Sequence, residues 1–375
     1  MHALIKWPGG KSKEYQYIRN LIPPFKRYIE PFFGGGAVFF QLKPQRAIVN
    51  DACEELVDFY RFLQDKGKYS RQHFKNELYQ YVENWEKIPK YIEFFENRFI
   101  RLYNDYNHDR IDDKKLGEVI INYLEKYEEN FNGLFTKKFC IDDKNLLKQI
   151  TANLISKIYR TKKIEKERGE LSKNDIYKNI ETAFRSGFYM HFRDLMNFHD
   201  DKYKICLAKK IANYYFIREF CYGSMFRFNN NGHFNIPYGG IAYNSKNFRA
   251  KVDHVFSNEV ENLLKGVVII DQDFEEVFNN YKFSKEDFIF LDPPYDSNFS
   301  NYEKKSFGKK DQERLAKQLY QTSGKFILII KKTPFIFGLY KNRKGIKIDK
   351  FEKKYLYNVK GRNNRDAEHL VIYNF

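Results

Sequence analysis

The sequence predicts an α/β fold, a doubly wound sheet interrupted by a long, largely helical insertion. Three observations predict it. From Tyr28 to about Leu63 the pattern runs strand, glycine turn, helix, strand, helix; between about Gln64 and Phe220 strand signals vanish and helical periodicity takes over; from Val267 the α/β alternation resumes.

Taken in order, Ala47-Ile48-Val49 is a short apolar strand ending in Asn50-Asp51, and Leu56, Phe59, Tyr60 and Leu63 follow at helical spacing. In the helical block Tyr91, Phe94, Phe95, Phe99 and Leu102 share one face. Leu116, Val119, Ile120, Tyr123, Leu124 and Tyr127 form a second stripe, and Leu147, Ile150, Leu154 and Ile158 a third. These stripes read as bundle core rather than base-stacking groups. Thr161–Lys173 is dense in charge and suits a solvated turn or exposed helix, with Ser172 as N-cap of the next helix. Ser224–Gly240 changes character: Met225-Phe226-Arg227-Phe228 and Phe234-Asn235-Ile236-Pro237-Tyr238 flank Asn229-Asn230-Asn231-Gly232, the signature of a hairpin. Val267–Ile270, Phe288–Leu291, a helix around Glu313–Leu319 and Phe326–Ile330 then complete the alternation. The simplest account is one α/β domain split in sequence by a helical insertion.

Composition bounds the function. With 42% hydrophobic and 18% aromatic residues the 375-residue chain can bury a sizeable core, which excludes wholesale disorder. Lys+Arg 66 against Asp+Glu 49 leaves +17, a surplus that favours a polyanionic partner. Coding bias toward AT accounts for abundant Lys better than for the surplus, because it inflates Glu as well. Cys53, Cys140, Cys206 and Cys221 are scattered and form no Cys-x-x-Cys pair, so neither a disulfide frame nor a zinc site is predicted. The opening Met1–Lys6 lacks a secretory apolar core and the apolar runs are too short to cross a bilayer, so a cytoplasmic location without a membrane partner is expected.

Two segments carry candidate chemistry. Glu30-Pro31-Phe32-Phe33-Gly34-Gly35-Gly36-Ala37 sits between a strand and a helix, where glycines let the backbone approach a cofactor and a helix N-terminus stands behind. Asp51, at the end of the next strand, stands where a carboxylate can take ribose hydroxyls. A tight turn without ligand also explains the glycines alone; the paired acidic strand end favours a nucleoside cofactor. Asp292-Pro293-Pro294-Tyr295 follows the strand Phe288–Leu291, at the carboxyl edge where ligands bind in open α/β sheets. A carboxylate and a rigid carbonyl side by side give two acceptors for one exocyclic amino group, and Tyr295 offers a face for a base.

Lys6-Trp7-Pro8-Gly9-Gly10-Lys11, the Phe-x-Gly-Gly-Gly core of Glu30–Ala37 and Asp292-Pro293-Pro294-Tyr295, in that order, resemble the DNA adenine methylase family of amino-methyltransferases. The resemblance is to the D12 class, with alpha-type motif order. Arg227-Phe228-Asn229-x-x-Gly232-x-Phe234-Asn235-x-Pro237-Tyr238-Gly239 resembles the family's DNA-reading hairpin, and Arg362-Asn363-Asn364-Arg365-x-Ala367-Glu368-His369-Leu370 a tail found in some members. The resemblance covers about the first sixty residues and the chain from about 215 onward.

The resemblance implies a Rossmann-like, S-adenosylmethionine-dependent methyltransferase fold. Residues 1–63 and 267–375 would form the catalytic domain, and 64–266 a helical target-recognition insertion that includes the hairpin 224–240. Trp7, Lys11, Phe32, Gly34, Gly36 and Asp51 would hold S-adenosylmethionine, with Asp273-Phe274 at its adenine and Asp292 beside it. Asp292, Pro293 and Tyr295 would grip the flipped adenine. Lys6, Arg227, Phe228, Asn229 and Asn235 would contact double-stranded DNA. The implied reaction is methyl transfer to N6 of an adenine flipped from the duplex, by direct displacement and without a metal, because the sulfonium is already activated. A cognate restriction endonuclease is a possible partner, and a cytoplasmic, nucleoid-associated location follows.

Cys53 replaces an asparagine often found two positions after the acidic residue matched by Asp51. Lys331-Lys332 replaces a more polar strand end, and is either a pair of phosphate contacts or a solvated terminus. Cytosine N4, RNA adenine, or a non-catalytic DNA-binding module remain alternatives; intact Asp292, Tyr295, Asp51 and the glycine loop argue against the last.

Overall fold

A computed structural model describes residues 1–11, 14–126, 137–198, 202–294, 307–354 and 366–375. Tyr127, Tyr295, Arg362–Arg365 and the side chains of Phe94 and Phe95 lie outside the described residues. The chain forms two compact units, one of residues 1–69, 226–228 and 255–375, the other of residues 70–225 and 229–254.

The first unit is built on a sheet in the order β3-β2-β1-β4-β5-β7-β6. Its strands are β1 Arg27–Glu30, β2 Ala47–Asn50, β3 Val267–Ile270, β4 Asp287–Leu291, β5 Lys325–Lys331, β6 Lys347–Lys354 and β7 Asp366–Tyr373. Strands β1 to β5 run parallel, and β7 pairs antiparallel with both β5 and β6. All of β4 and the middle of β5 are buried, the pattern of parallel strands covered on both faces, and this is why they read as unbroken apolar runs. Ile29, Ile48, Ile289, Leu328 and Ile372 from five strands pack with Leu315 and Leu319 of the helix Lys309–Gln321. Strand β6 lies at the edge and carries Lys347 and Lys350, charges that discourage further strand pairing.

The predicted helix after the glycine turn shortens to a single turn, Phe39–Leu42. Lys43, at φ 51°, leaves the helix ahead of Pro44, which disfavours helical backbone at the residue before it. The helix N-terminus expected behind the glycines therefore contributes little field. Of the Lys331-Lys332 pair, Lys332 is an ion-pair partner of Glu368 within the sheet, so it serves the β5–β7 junction.

The second unit is helical: Arg71–Asn107, Asp113–Lys126, Lys137–Cys140, Asp143–Arg168, Lys173–Asn197 and Leu207–Phe220. Ser70, Asp142 and Ser172 accept from the amides three residues on and start three of these helices. Tyr81, Trp85, Phe188, Phe192, Phe216 and Phe220 interlock, with Trp85 and Phe220 rings 4.2 Å apart. The aromatic abundance is thus spent largely on core. Gly187 permits a close crossing of two helices: a Cβ there would lie 2.5 Å from the Ile150 backbone. The buried stripe of the helix Asp143–Arg168 runs Leu146, Ile150, Leu154, Ile158, so Leu146 replaces the expected Leu147 in a strict four-residue spacing. Thr161 and Lys162 are buried rather than solvated, because Lys162 reaches the Tyr106 carbonyl at 2.7 Å. Between Ser224 and Gly240 the expected hairpin is a tight turn, in which the Asn229 amide donates to His233 O at 2.8 Å, without extended strands. No described helix is long and apolar enough to cross a membrane.

His191 is fully buried: Nε2 lies 2.8 Å from the Cys140 carbonyl and Nδ1 3.1 Å from the Asn145 amide. The carbonyl assigns the proton to Nε2, and burial lowers the imidazole pKa to about 4. The unfolded chain takes up this proton near pH 6.5 and the folded chain does not, so stability falls as pH drops through that interval. Between pH 7 and pH 5 the histidine should account for a loss of about 2 kcal/mol. Denaturant melts at both values should show a smaller loss for His191→Gln than for the native chain; equal losses would show that His191 does not titrate this way.

Candidate active site

The site begins where the sheet changes direction. β1 lies between β2 and β4, and the chain proceeds from β1 to one side and from β4 to the other, so the carboxyl ends of β1 and β4 border a crevice. Glu30 ends β1, Asp51 follows β2 and Asp292 follows β4.

Asn50 shapes the loops around that edge. Its side-chain amide donates to the carbonyls of Pro31 and Gln272, each at 3.0 Å, its Oδ1 accepts from the Gln272 amide at 2.9 Å, and its own carbonyl takes the Phe33 amide at 2.8 Å. The turn beyond β1 is therefore tied to the segments after β2 and β3. Asn50 was legible only as a strand end; no motif marked it as a latch.

Gly34 stands at φ +50°, and a Cβ there would lie 2.6 Å from the Trp7 indole. Only glycine lets that ring lie on the turn. The Gly34 amide donates to Asp51 Oδ2 at 2.7 Å and the Cys53 amide to Oδ1 at 3.0 Å. Burial pushes the Asp51 carboxyl up to about 6 against these amides, which favour the anion. Glu30 is buried as well and accepts from Tyr28 Oη at 2.9 Å; burial, then the charges of Asp292 and Asp51, raise its pKa well above the usual carboxylate range. Lys11, 2% exposed, donates to the Gly9 carbonyl at 3.0 Å and forms an ion pair with Asp292. Three carboxylates thus share the edge with one buried ammonium.

The Asp292-Pro293-Pro294 turn is fixed from behind: buried Gln312 donates to the Pro294 carbonyl at 2.9 Å. Phe226, which sequence reading passed over, packs at 5.3 Å on Trp7 and at 5.1 Å on Phe228. Arg227 between them is exposed, and Lys6 is half-buried beside Trp7 in sequence.

A sequence model described as D12 class N6 adenine-specific DNA methyltransferase matches residues 7–161 and 144–355. The chain belongs to this family. A Type II methyltransferase of Methanocaldococcus jannaschii, M.MjaIII, is 31% identical over 99% of this chain and 98% of its own length. The Type II methyltransferase M.CviBI of Paramecium bursaria Chlorella virus NC1A is 36% identical over 44% of this chain, and the match spans 60% of that relative. A DNA adenine methylase of Vibrio cholerae is 26% identical over 35% of this chain.

Within the methyltransferase, the remaining sequence-predicted positions serve varied roles. Phe32 packs on Phe274 at 5.3 Å, which brings Asp273-Phe274 against the turn after β1. Asp273 caps the short helix Phe274–Asn280 and pairs with Arg314 at 3.0 Å. Asn229 Oδ1 accepts from the Asn231 and His233 amides at 3.0 and 2.9 Å, so its side chain builds the turn itself. Asn235 is half-buried just beyond.

Gly34→Ala should destabilise the protein by roughly 1–3 kcal/mol, through positive φ and the blocked indole. Gly338→Ala, whose added methyl meets open space within the helix Pro334–Tyr340, should cost nothing. Chemical denaturation compares the two; equal effects would mean that Trp7 does not depend on Gly34.

Proposed function

We propose that the enzyme methylates N6 of an adenine flipped out of duplex DNA, with S-adenosylmethionine as methyl donor. The observation that carries the reading is Asp292 at the carboxyl end of β4, beside β1 and on the same edge as Glu30, Gly34 and Asp51. The donor set suits this cofactor. Three acidic side chains, Glu30, Asp51 and Asp292, stand against one lysine at this edge, and a ligand with positive charge, which S-adenosylmethionine carries on its sulfonium and amino groups, would favour their ionised forms; Gly34 at φ +50° lets the turn lie under Trp7. Asp51 would take the ribose hydroxyls, Trp7, Phe32, Gly34 and Gly36 would wall the pocket, and Phe274 would border the adenine.

When bound, the cofactor supplies a methyl already activated by the sulfonium. The protein's work is positioning. Lys11 pairs with Asp292 and holds it in place, so that a carboxyl oxygen accepts from the adenine N6 amino group while the Pro293 carbonyl accepts its second hydrogen. Gln312, through Pro294, keeps this turn from yielding. Adenine reaches the site at an unstacking cost of a few kcal/mol. We assign Tyr295 to stacking on that base. Arg227 and Phe228 carry the DNA contact, with Asn229 shaping the turn and Lys6 and Asn235 adding contacts. Relatives named as Type II methyltransferases favour a cognate restriction endonuclease, and the helical insertion would set the recognised site.

Asp292→Ala should lower kcat by at least about a thousandfold, as loss of the group that orients the nucleophile implies, while DNA affinity changes little. The readout is mass spectrometry of nucleosides from unmethylated duplex DNA incubated with S-adenosylmethionine. Native protein should yield N6-methyladenine; N4-methylcytosine would overturn the choice of base, and near-native turnover of the variant the role of Asp292. Arg227→Ala should weaken DNA binding about tenfold or relax the methylated-site profile. Unchanged affinity and unchanged profile would remove Arg227 from the interface.

A further inference from the structure

Three donor groups that stand far apart in sequence meet in the helical unit. His73 and Glu77 lie one turn apart on the helix Arg71–Asn107, and Cys206 is the N-cap residue of the helix Leu207–Phe220. His73 Nε2 is 3.7 Å from Glu77 Oε1 and 4.0 Å from Cys206 Sγ, and the donor atoms of all three lie within 4.8 Å of one another.

We propose that His73, Glu77 and Cys206 bind a zinc(II) ion, with water as its fourth ligand. Imidazole nitrogen, thiolate sulfur and carboxylate oxygen are the donors zinc takes, whereas magnesium and calcium prefer oxygen alone. Zinc–donor bonds of about 2.0–2.3 Å put tetrahedral donors roughly 3.3–3.6 Å apart, so the three groups need only a modest inward turn. His73 is 53% exposed and Cys206 is exposed, so both have room for it. Glu77, 14% exposed, supplies the fixed anchor, and its Oε2 is a buried oxygen that makes no hydrogen bond among the described residues. The Lys209 ammonium forms an ion pair with that oxygen at 3.7 Å and also donates to the Lys138 carbonyl at 3.0 Å, so the anchor carboxyl is held from its far side. Cys206 stands at the start of the 14-residue helix Leu207–Phe220, so a metal bound there would sit at the helix end. On binding, the thiol proton passes to solvent. The ion would pin the start of the helix Leu207–Phe220 to the long helix Arg71–Asn107.

The test uses full-length protein stripped with chelator and dialysed. Zinc chloride should bind one ion per chain with Kd below about 1 μM. It should raise the melting temperature, and magnesium chloride should not. Cobalt(II) should give a thiolate-to-metal charge-transfer band. Cys53, Cys140 and Cys221 are buried, so that band reports Cys206. Cys206→Ser should abolish the band, and Cys206→Ser and His73→Ala should each weaken zinc binding at least a hundredfold while leaving the metal-free melting temperature near native. Zinc that fails to bind stoichiometrically or to raise the melting temperature, or binding that survives both substitutions, overturns the site.

Discussion

The reversal of strand order between β1 and β4 is the constraint on which the site depends. Crossovers that leave in opposite directions cannot close over the carboxyl ends of those two strands, so the edge between them stays open to a ligand. Glu30 and Asp292, near opposite ends of the chain, become neighbours across that opening. Asn50 converts the opening into a defined shape, because one side chain satisfies backbone groups of Pro31 and Gln272. Remove that amide and buried polar groups of two loops lose their partners.

Charge is distributed against the average of the molecule. The chain carries +17, yet two acidic side chains, Glu30 and Asp51, are buried at the sheet edge. Burial disfavours their charged forms, and amides from Gly34 and Cys53, the Tyr28 hydroxyl and the Lys11 ammonium offset this only in part. A cationic ligand would complete the compensation, while the net positive charge would suit a polyanion, a division a mean charge cannot show.

Much of this was legible in the sequence, and the remainder failed for physical reasons. Strands β1, β2, β4 and β5 announced themselves because most of their residues are buried, and β3 through its unbroken run Val267–Ile270 although it lies at an edge; β6, with its polar edge sequence KIDKFEKK, gave no such run. The glycine turn, Asp51 and Asp292 were readable as motifs, since backbone geometry and chemistry restrict those positions to few residue types. Asn50, Gln312 and Phe226 were not, because each acts through a tertiary contact that leaves no local period. Asn229 read as a DNA contact, and its Oδ1 also shapes the turn by accepting two backbone amides, a local role the motif did not show. Scattered cysteines argued against a zinc site on spacing alone, and spacing is blind to Cys206 meeting His73 and Glu77 through helix packing.

The place where the sheet tolerates so long an excursion also has a physical account. The chain leaves after the helix Glu54–Gln64 and returns to β3, which is a crossover between neighbouring parallel strands. Gln64 Nε2 donates to the carbonyls of Leu264 and Val267 at 2.9 and 2.8 Å, so the end of the outgoing helix is fastened to the incoming strand before any inserted residue is counted. Arg61 adds a second fastening through Asp271, at 2.9 Å, just past the end of β3. The ends of the inserted segment are thus held by the sheet's own unit, and loop-closure entropy grows only slowly with the length between them. A helical unit of any comparable size can occupy this crossover without altering the register of β2 on β3, which is the register that positions Asp51.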